Sequence, residues 1–267
     1  MSRATATDLV YLIAIIGFIL ALKGLSSPKR ARLGNLAGAA SAVLAVAWTF
    51  SRPEVYGTTR NLVLIIVAMI IGTIVGVPAA RTVKMTAMPQ MVAIFNGVGG
   101  GAAALVSLTE FIALPGKAIA VYKICEVLFG VLVGAVSFSG SAIAFAKLQE
   151  LMTGRPVTYP GQQVINAIVG LAILALALAV LVTASTSLLW VMLALSLVLG
   201  IIFVLPIGGA DVPVLISLLN SFTGLAVAAS GFTVNNNLLI IAGTLVGASG
   251  ILLTRMMSNA MGRSLPN

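Results

Sequence analysis

The chain has 267 residues, 60% apolar and 8% charged, with a mean hydropathy of +1.16, whereas roughly a quarter of the residues in a water-soluble domain are charged. There are 15 Lys or Arg against 6 Asp or Glu, and no histidine at all. These counts exclude a soluble enzyme domain beside the apolar segments, and any proton relay built from the chain's own imidazoles. At about 20 residues per membrane-crossing helix there is room for about eight to ten spans. Apolar runs that continue without alternation exclude a β-barrel, so the expected fold is all-α and polytopic, a single transmembrane domain over residues 1–267.

Charges, prolines and turn residues break the chain into nine segments. In order they are Leu9 to Leu25, Leu33 to Phe50, Leu62 to Val77, Pro89 to Ala113, Ala118 to Leu148, Val164 to Thr183, Leu188 to Leu205, Pro213 to Phe232 and Leu238 to Met257. The first could pass for a secretory signal. Asp8 at its front, Lys23 behind it and the lack of a small-residue cleavage pattern make it a retained span. The fifth is too long for a perpendicular crossing. The 20 uncharged residues from Val127 to Ala146 define its hydrocarbon part, with Lys123 and Glu126 on one helix face near the outer interface and Lys147 to Glu150 expected to project into the cytoplasm. That pair fits either interfacial anchoring or a place on a proton path. Cys125 has no second thiol to pair with and reads as a small packing residue. Asn235-Asn-Asn237 between the last two segments reads as a turn.

An odd number of spans puts the termini on opposite sides. The loops on one side and the C-terminal tail hold Lys23, Lys29, Arg30, Arg32, Arg81, Lys84, Lys147, Arg155, Arg255 and Arg263. The other side holds only Arg3, Arg52, Arg60 and Lys117. The excess of Lys and Arg marks the cytoplasmic side, so the N-terminus is expected outside and the C-terminus in the cytoplasm. The same distribution explains the net charge of +9 without nucleic acid, which would need the basic residues gathered on a soluble face.

Segments three to five resemble segments seven to nine. Gly72-Thr-Ile-Val-Gly-Val-Pro78 answers to Gly200-Ile-Ile-Phe-Val-Leu-Pro206, and Gly130-Val-Leu-Val-Gly-Ala135 to Gly243-Thr-Leu-Val-Gly-Ala248. Asn96 follows Pro89 by seven positions, as Asn220 follows Pro213. A parallel internal repeat is the expected reading, an arrangement some transporters use.

Polar groups at membrane depth are costly unless partnered, which makes them functional candidates. Seven residues of helix place Asn96 and Asn220 about 10 Å inside their segments. An amide can hold water or a partner's side chain but does not exchange a proton near neutral pH, and helix-to-helix hydrogen bonding is the competing role. Ser217 and Ser221 share one helix face, with Asn220 and Thr223 on a neighbouring one, a stripe that suits a narrow wet path or local hydroxyl bonding. Asp211 suits either a helix N-cap or a proton-handling group at the cytoplasmic mouth. Gly97-Val-Gly-Gly-Gly101 has no preceding strand and lies in an apolar span, so it suits close helix packing rather than a phosphate loop. The chain offers no metal-ligand cluster.

Met88-Pro-Gln-Met-Val-Ala-Ile-Phe-Asn96-Gly97, Gly208-Gly-Ala-Asp-Val-Pro-Val-Leu-Ile-Ser-Leu-Leu-Asn220-Ser-Phe-Thr-Gly224 and Asn235-Asn-Asn-Leu-Leu-Ile-Ile-Ala-Gly-Thr-Leu-Val-Gly-Ala-Ser-Gly250 together resemble the membrane domain of the β subunit of proton-translocating NAD(P) transhydrogenase. The resemblance covers essentially the whole chain. It implies a translocase component that couples proton passage to hydride transfer between NAD(H) and NADP(H) in attached soluble domains, with no cofactor bound by these residues and no hydride transfer from them alone. It places Asn220 and Thr223 in the proton path, Asp211 at its cytoplasmic end, Ser249 and Gly250 in a small-residue patch on the last helix, and Arg263 in the hinge to an NADP(H)-binding domain that follows in the family. At Asn96 many members have a histidine thought to take up the proton. Its absence here makes the α-subunit membrane helices the expected source of the titrating group. The implied partners are those helices, the NAD(H)-binding domain, the NADP(H)-binding domain and a second β subunit, in a bacterial plasma membrane. A reading independent of the resemblance is a secondary transporter with its substrate site between two three-helix repeats, or a membrane scaffold.

Overall fold

The computed structural model describes residues 3–51, 57–113 and 120–262. Nine helices among them are long and apolar enough to cross a membrane. They are α1 (Arg3–Leu25), α2 (Ala31–Phe50), α3 (Thr59–Thr82), α4 (Met88–Ala113), α5 (Val121–Leu148), α6 (Gln162–Thr183), α7 (Thr186–Val204), α8 (Val212–Thr233) and α9 (Asn237–Ala260). Each matches one expected segment, because twenty-odd apolar residues can satisfy their backbone inside a bilayer only as a helix. Boundaries shift by a few residues at several helix ends, most tellingly at a proline. α3 does not stop at Val77 but runs through Pro78 to Thr82. Pro78 forfeits one backbone bond, and the Thr82 hydroxyl donates to the Pro78 carbonyl at 2.8 Å.

The chain divides into two compact units, Met1–Val83 and Lys84–Asn267. In the first, α1 and α2 form a hairpin in near backbone contact. A Cβ on Gly24 would lie 2.7 Å from the Gly34 Cα, so only glycine permits the approach. Tyr11 and Thr49 hydroxyls meet at 3.3 Å across it. α3 buries none of its residues.

In the second unit α5 is central, packed by α4, α7 and α8, while α9 lies along α8 and α6 along α7. Gln90 of α4 donates to the Leu148 carbonyl and Lys147 of α5 reaches the end of α7, so α4 and α8 start at the end where α5 finishes. Lipid is as apolar as leucine, so these helices are held by close packing and polar contacts rather than by a hydrophobic drive. One apolar core lies toward the Glu126 end of α5, built from Leu108, Phe111, Val127, Val131, Leu189 and Met192. A second lies toward the Lys147 end, built from Ala93, Ala144, Val204, Val212, Leu215 and Leu219. Cys125 is exposed, contrary to its expected packing role, because Ile124 and Val127 on either side take the inward positions.

Both α4 and α8 are preceded by a single 3-10 turn, Met85–Ala87 and Gly209–Asp211. Asn235 adopts a left-handed φ of 51°, and the Asn236 side chain caps α9 by accepting from the Leu239 N–H at 3.2 Å, which is the turn expected there.

Candidate proton-path site

Between the two apolar cores, α4, α5 and α8 enclose a cluster of polar side chains. Asn96 is 7% exposed. Its Nδ2 donates to Ser141 Oγ at 2.9 Å and to Ser137 Oγ at 3.3 Å. Ser137 and Ser141 are four residues apart on α5, so both face α4. Ser137 Oγ lies 2.8 Å from the Leu219 carbonyl and 2.5 Å from Thr223 Oγ1 on α8, and Thr223 Oγ1 lies 3.4 Å from the Asn96 carbonyl. Glycines allow this convergence. A Cβ on Gly97 would stand 3.1 Å from the Ser141 Cβ, and one on Gly100 would stand 3.0 Å from the Gly134 carbonyl. The Gly97 to Gly101 run is thus helical and packed, as expected, and forms no phosphate loop.

Two properties of the cluster bear on its chemistry. Ser137 and Thr223 each have one proton and two acceptors in reach, so their hydrogen-bond directions can be reversed without moving a backbone. Asn96 Oδ1, moreover, is buried with no hydrogen-bond partner among the described residues, as are Gln90 Oε1 at the start of α4 and Glu126 Oε2 on α5. An unpaired buried acceptor costs about 1–3 kcal/mol, which selects for a site where a donor is received.

The remaining candidates are placed as follows. Asn220 is half-buried on α8, one turn before Thr223, and its side chain has no hydrogen bond among the described residues. Ser217 and Ser221 do not join the cluster. They turn to α9, where Ser221 Oγ donates to the Gly247 carbonyl at 2.7 Å and Ser217 Oγ to the Gly250 carbonyl at 3.3 Å. Gly250 packs on Ser221, with a would-be Cβ 2.9 Å from the Ser221 Cβ, whereas Ser249 is exposed and donates to the Val246 carbonyl at 3.1 Å. Asp211 stands at the N-cap position of α8 without a side-chain capping bond to that helix. Glu126 lies 11 positions before Ser137, about 16 Å along α5. Its Oε2 is buried and unpartnered among the described residues. Arg263 lies outside the described residues.

Ser137 and Ser141 are the functional candidates that residue-by-residue reading passes over. Their signal was present in Ser137-Phe-Ser-Gly-Ser141, three hydroxyls inside one apolar span. A second buried pair, Ser107 and Ser230, bonds at 3.0 Å on the Glu126 side of the cluster, with Ser230 Oγ also 3.0 Å from the Ala103 carbonyl.

The family model of the NAD(P) transhydrogenase beta subunit matches residues 7–267. The chain belongs to the NAD(P) transhydrogenase β-subunit family. Two Rhodospirillum rubrum sequences, each named NAD(P) transhydrogenase subunit beta, are 42% identical to it over 268 aligned positions, covering 98% of this chain. The chain spans 57% of the length of those relatives. It is therefore a multi-pass membrane component of an enzyme family whose members act as subunits of a larger assembly.

Proposed function

We propose that this chain is the proton-conducting membrane module of a nicotinamide nucleotide transhydrogenase, coupling proton passage across the bilayer to hydride transfer between NAD(H) and NADP(H) in attached soluble domains. The observation that carries the reading is the buried, unpaired Asn96 Oδ1 inside a cluster of reorientable hydroxyls from three helices. An amide and hydroxyls conduct by holding and handing on a proton carried by water or a partner group; they do not titrate near neutral pH themselves. With no histidine in the chain, the titrating group comes from the companion α-subunit helices. Asn220 and Thr223 continue the path on α8, Glu126 serves its outer end, and Asp211 with Ser249, Gly250 and Arg263 serves coupling to the NADP(H)-binding domain. The module faces that domain in the cytoplasm of a bacterium, with its N-terminus outside, and pairs with a second β subunit.

The test is Asn220→Ala and Asn220→Asp in the complete enzyme. Both are expected to slow proton-coupled turnover while leaving the nucleotide affinity of the soluble domains intact; unchanged coupling removes Asn220 from the path. Sequence reading of the companion membrane chain is the second check, since a chain with neither an intramembrane histidine nor an acid contradicts the division of labour.

A further inference from the structure

Lys147 is only 3% exposed at the end of α5, although a lysine at a membrane boundary ordinarily extends its ammonium into water. Here the Nζ donates to the main-chain carbonyl of Leu205 and, at 2.6 Å, to that of Ile207. Leu205 closes α7, and Ile207 lies in the link that leads to α8. Carbonyls at a helix C-terminus lack intrahelical partners and carry negative partial charge, so they form a seat for a cation. A buried ammonium is tolerable only when hydrogen-bonded in this way.

The link is gripped from its other side too. The Leu205 carbonyl also accepts from the Val157 N–H at 3.0 Å, and the Gly209 N–H donates to the Gly154 carbonyl at 2.7 Å. A Cβ on Gly209 would stand 3.3 Å from that carbonyl, which keeps the segment close. At the same level Gln90 Nε2 donates to the Leu148 carbonyl, so the start of α4 is tied to the end of α5.

We propose that Lys147 is a positioning residue for the Asn96, Ser137 and Thr223 cluster, acting by fixing the start of α8 to the helix that supplies its partners. Lys147 rides on the same helix as Ser141 and Ser137, about 9 and 15 Å away by helical rise. From Val212, which is fully buried, α8 continues without a break to Leu219 and Thr223. The clamp therefore sets the height and rotation at which the Leu219 carbonyl and the Thr223 hydroxyl meet Ser137. The inference rests on the proton-path reading above.

In the complete enzyme, Lys147→Met is expected to lower proton-coupled turnover per assembled complex by about tenfold or more, as small misplacements of a reacting array do. The KM values for both nucleotides should stay unchanged, and Lys147→Arg, which keeps a cationic donor, should recover most of the rate. Wild-type turnover in Lys147→Met, a change confined to KM, or Lys147→Arg as slow as Lys147→Met overturns the proposal. Should Lys147→Met fail to assemble, Lys147→Gln is the deciding variant: slowed turnover supports the clamp and wild-type turnover overturns it. Asn96→Leu measured alongside separates the two levels. If Asn96→Leu also turns over normally, the proton-path reading fails; if only the Lys147 variants do, the clamp alone fails.

Discussion

Helix α8 has two faces built from the same small and hydroxylated residue types, and they do different things. Toward α9, Ser217 and Ser221 bond to main-chain carbonyls, and Gly224 meets Gly243 and Gly247 so closely that a Cβ on Gly224 would stand 2.4 Å from the Gly247 nitrogen. Ser217, Ser221 and Thr254 each donate to a main-chain carbonyl of α9. Toward α4 and α5, Thr223 joins hydroxyls with alternative partners and an amide oxygen that has none. The contrast separates glue from site: saturated polar contacts lock two helices, whereas unsaturated and reversible ones leave capacity for a mobile donor.

Substitutions can break that contrast in a graded way. Gly224→Val forces backbone apart at the α9 seam, and overpacking of about 1–3 kcal/mol or more should appear as loss of folded protein in size-exclusion profiles. Asn96→Leu removes the unpaired acceptor, and a loss of roughly 10- to 100-fold in proton-coupled turnover is expected with little change in thermal midpoint. Ser141→Ala leaves the Asn96 amide with only its longer bond, so turnover should fall by less than in Asn96→Leu, with a stability cost of about 0.6 kcal/mol. Ser221→Ala should cost a similar ~0.6 kcal/mol in thermal stability and change turnover least of all. A larger turnover defect in Ser221→Ala than in Ser141→Ala would mean that the conducting face has been assigned to the wrong side of α8.

The two faces were not equally legible in the residues. Nine spans follow directly from uninterrupted apolar runs, and the Pro-to-Asn spacing finds the amides on α4 and α8. Periodicity says that Ser217 and Ser221 share a face, but it does not say which neighbour that face meets, and the neighbour is α9. Ser137 and Ser141 look unremarkable until α5 is seen between α4 and α8. Lys147 is the clearest case. In the chain it is one more cation at a span's end, counted toward topology, and only the approach of the α7 terminus turns it into a buried ligand of carbonyls. Pro78 misleads in the opposite direction, since a long apolar helix tolerates the loss of one backbone bond at a proline and α3 continues to Thr82.

The most direct measurement of the central claim is proton movement and hydride transfer recorded together in vesicles carrying the complete enzyme with Asn96→Leu. The account predicts that both fall in parallel while nucleotide binding to the soluble domains is retained. Proton movement at the wild-type rate in that variant would contradict it.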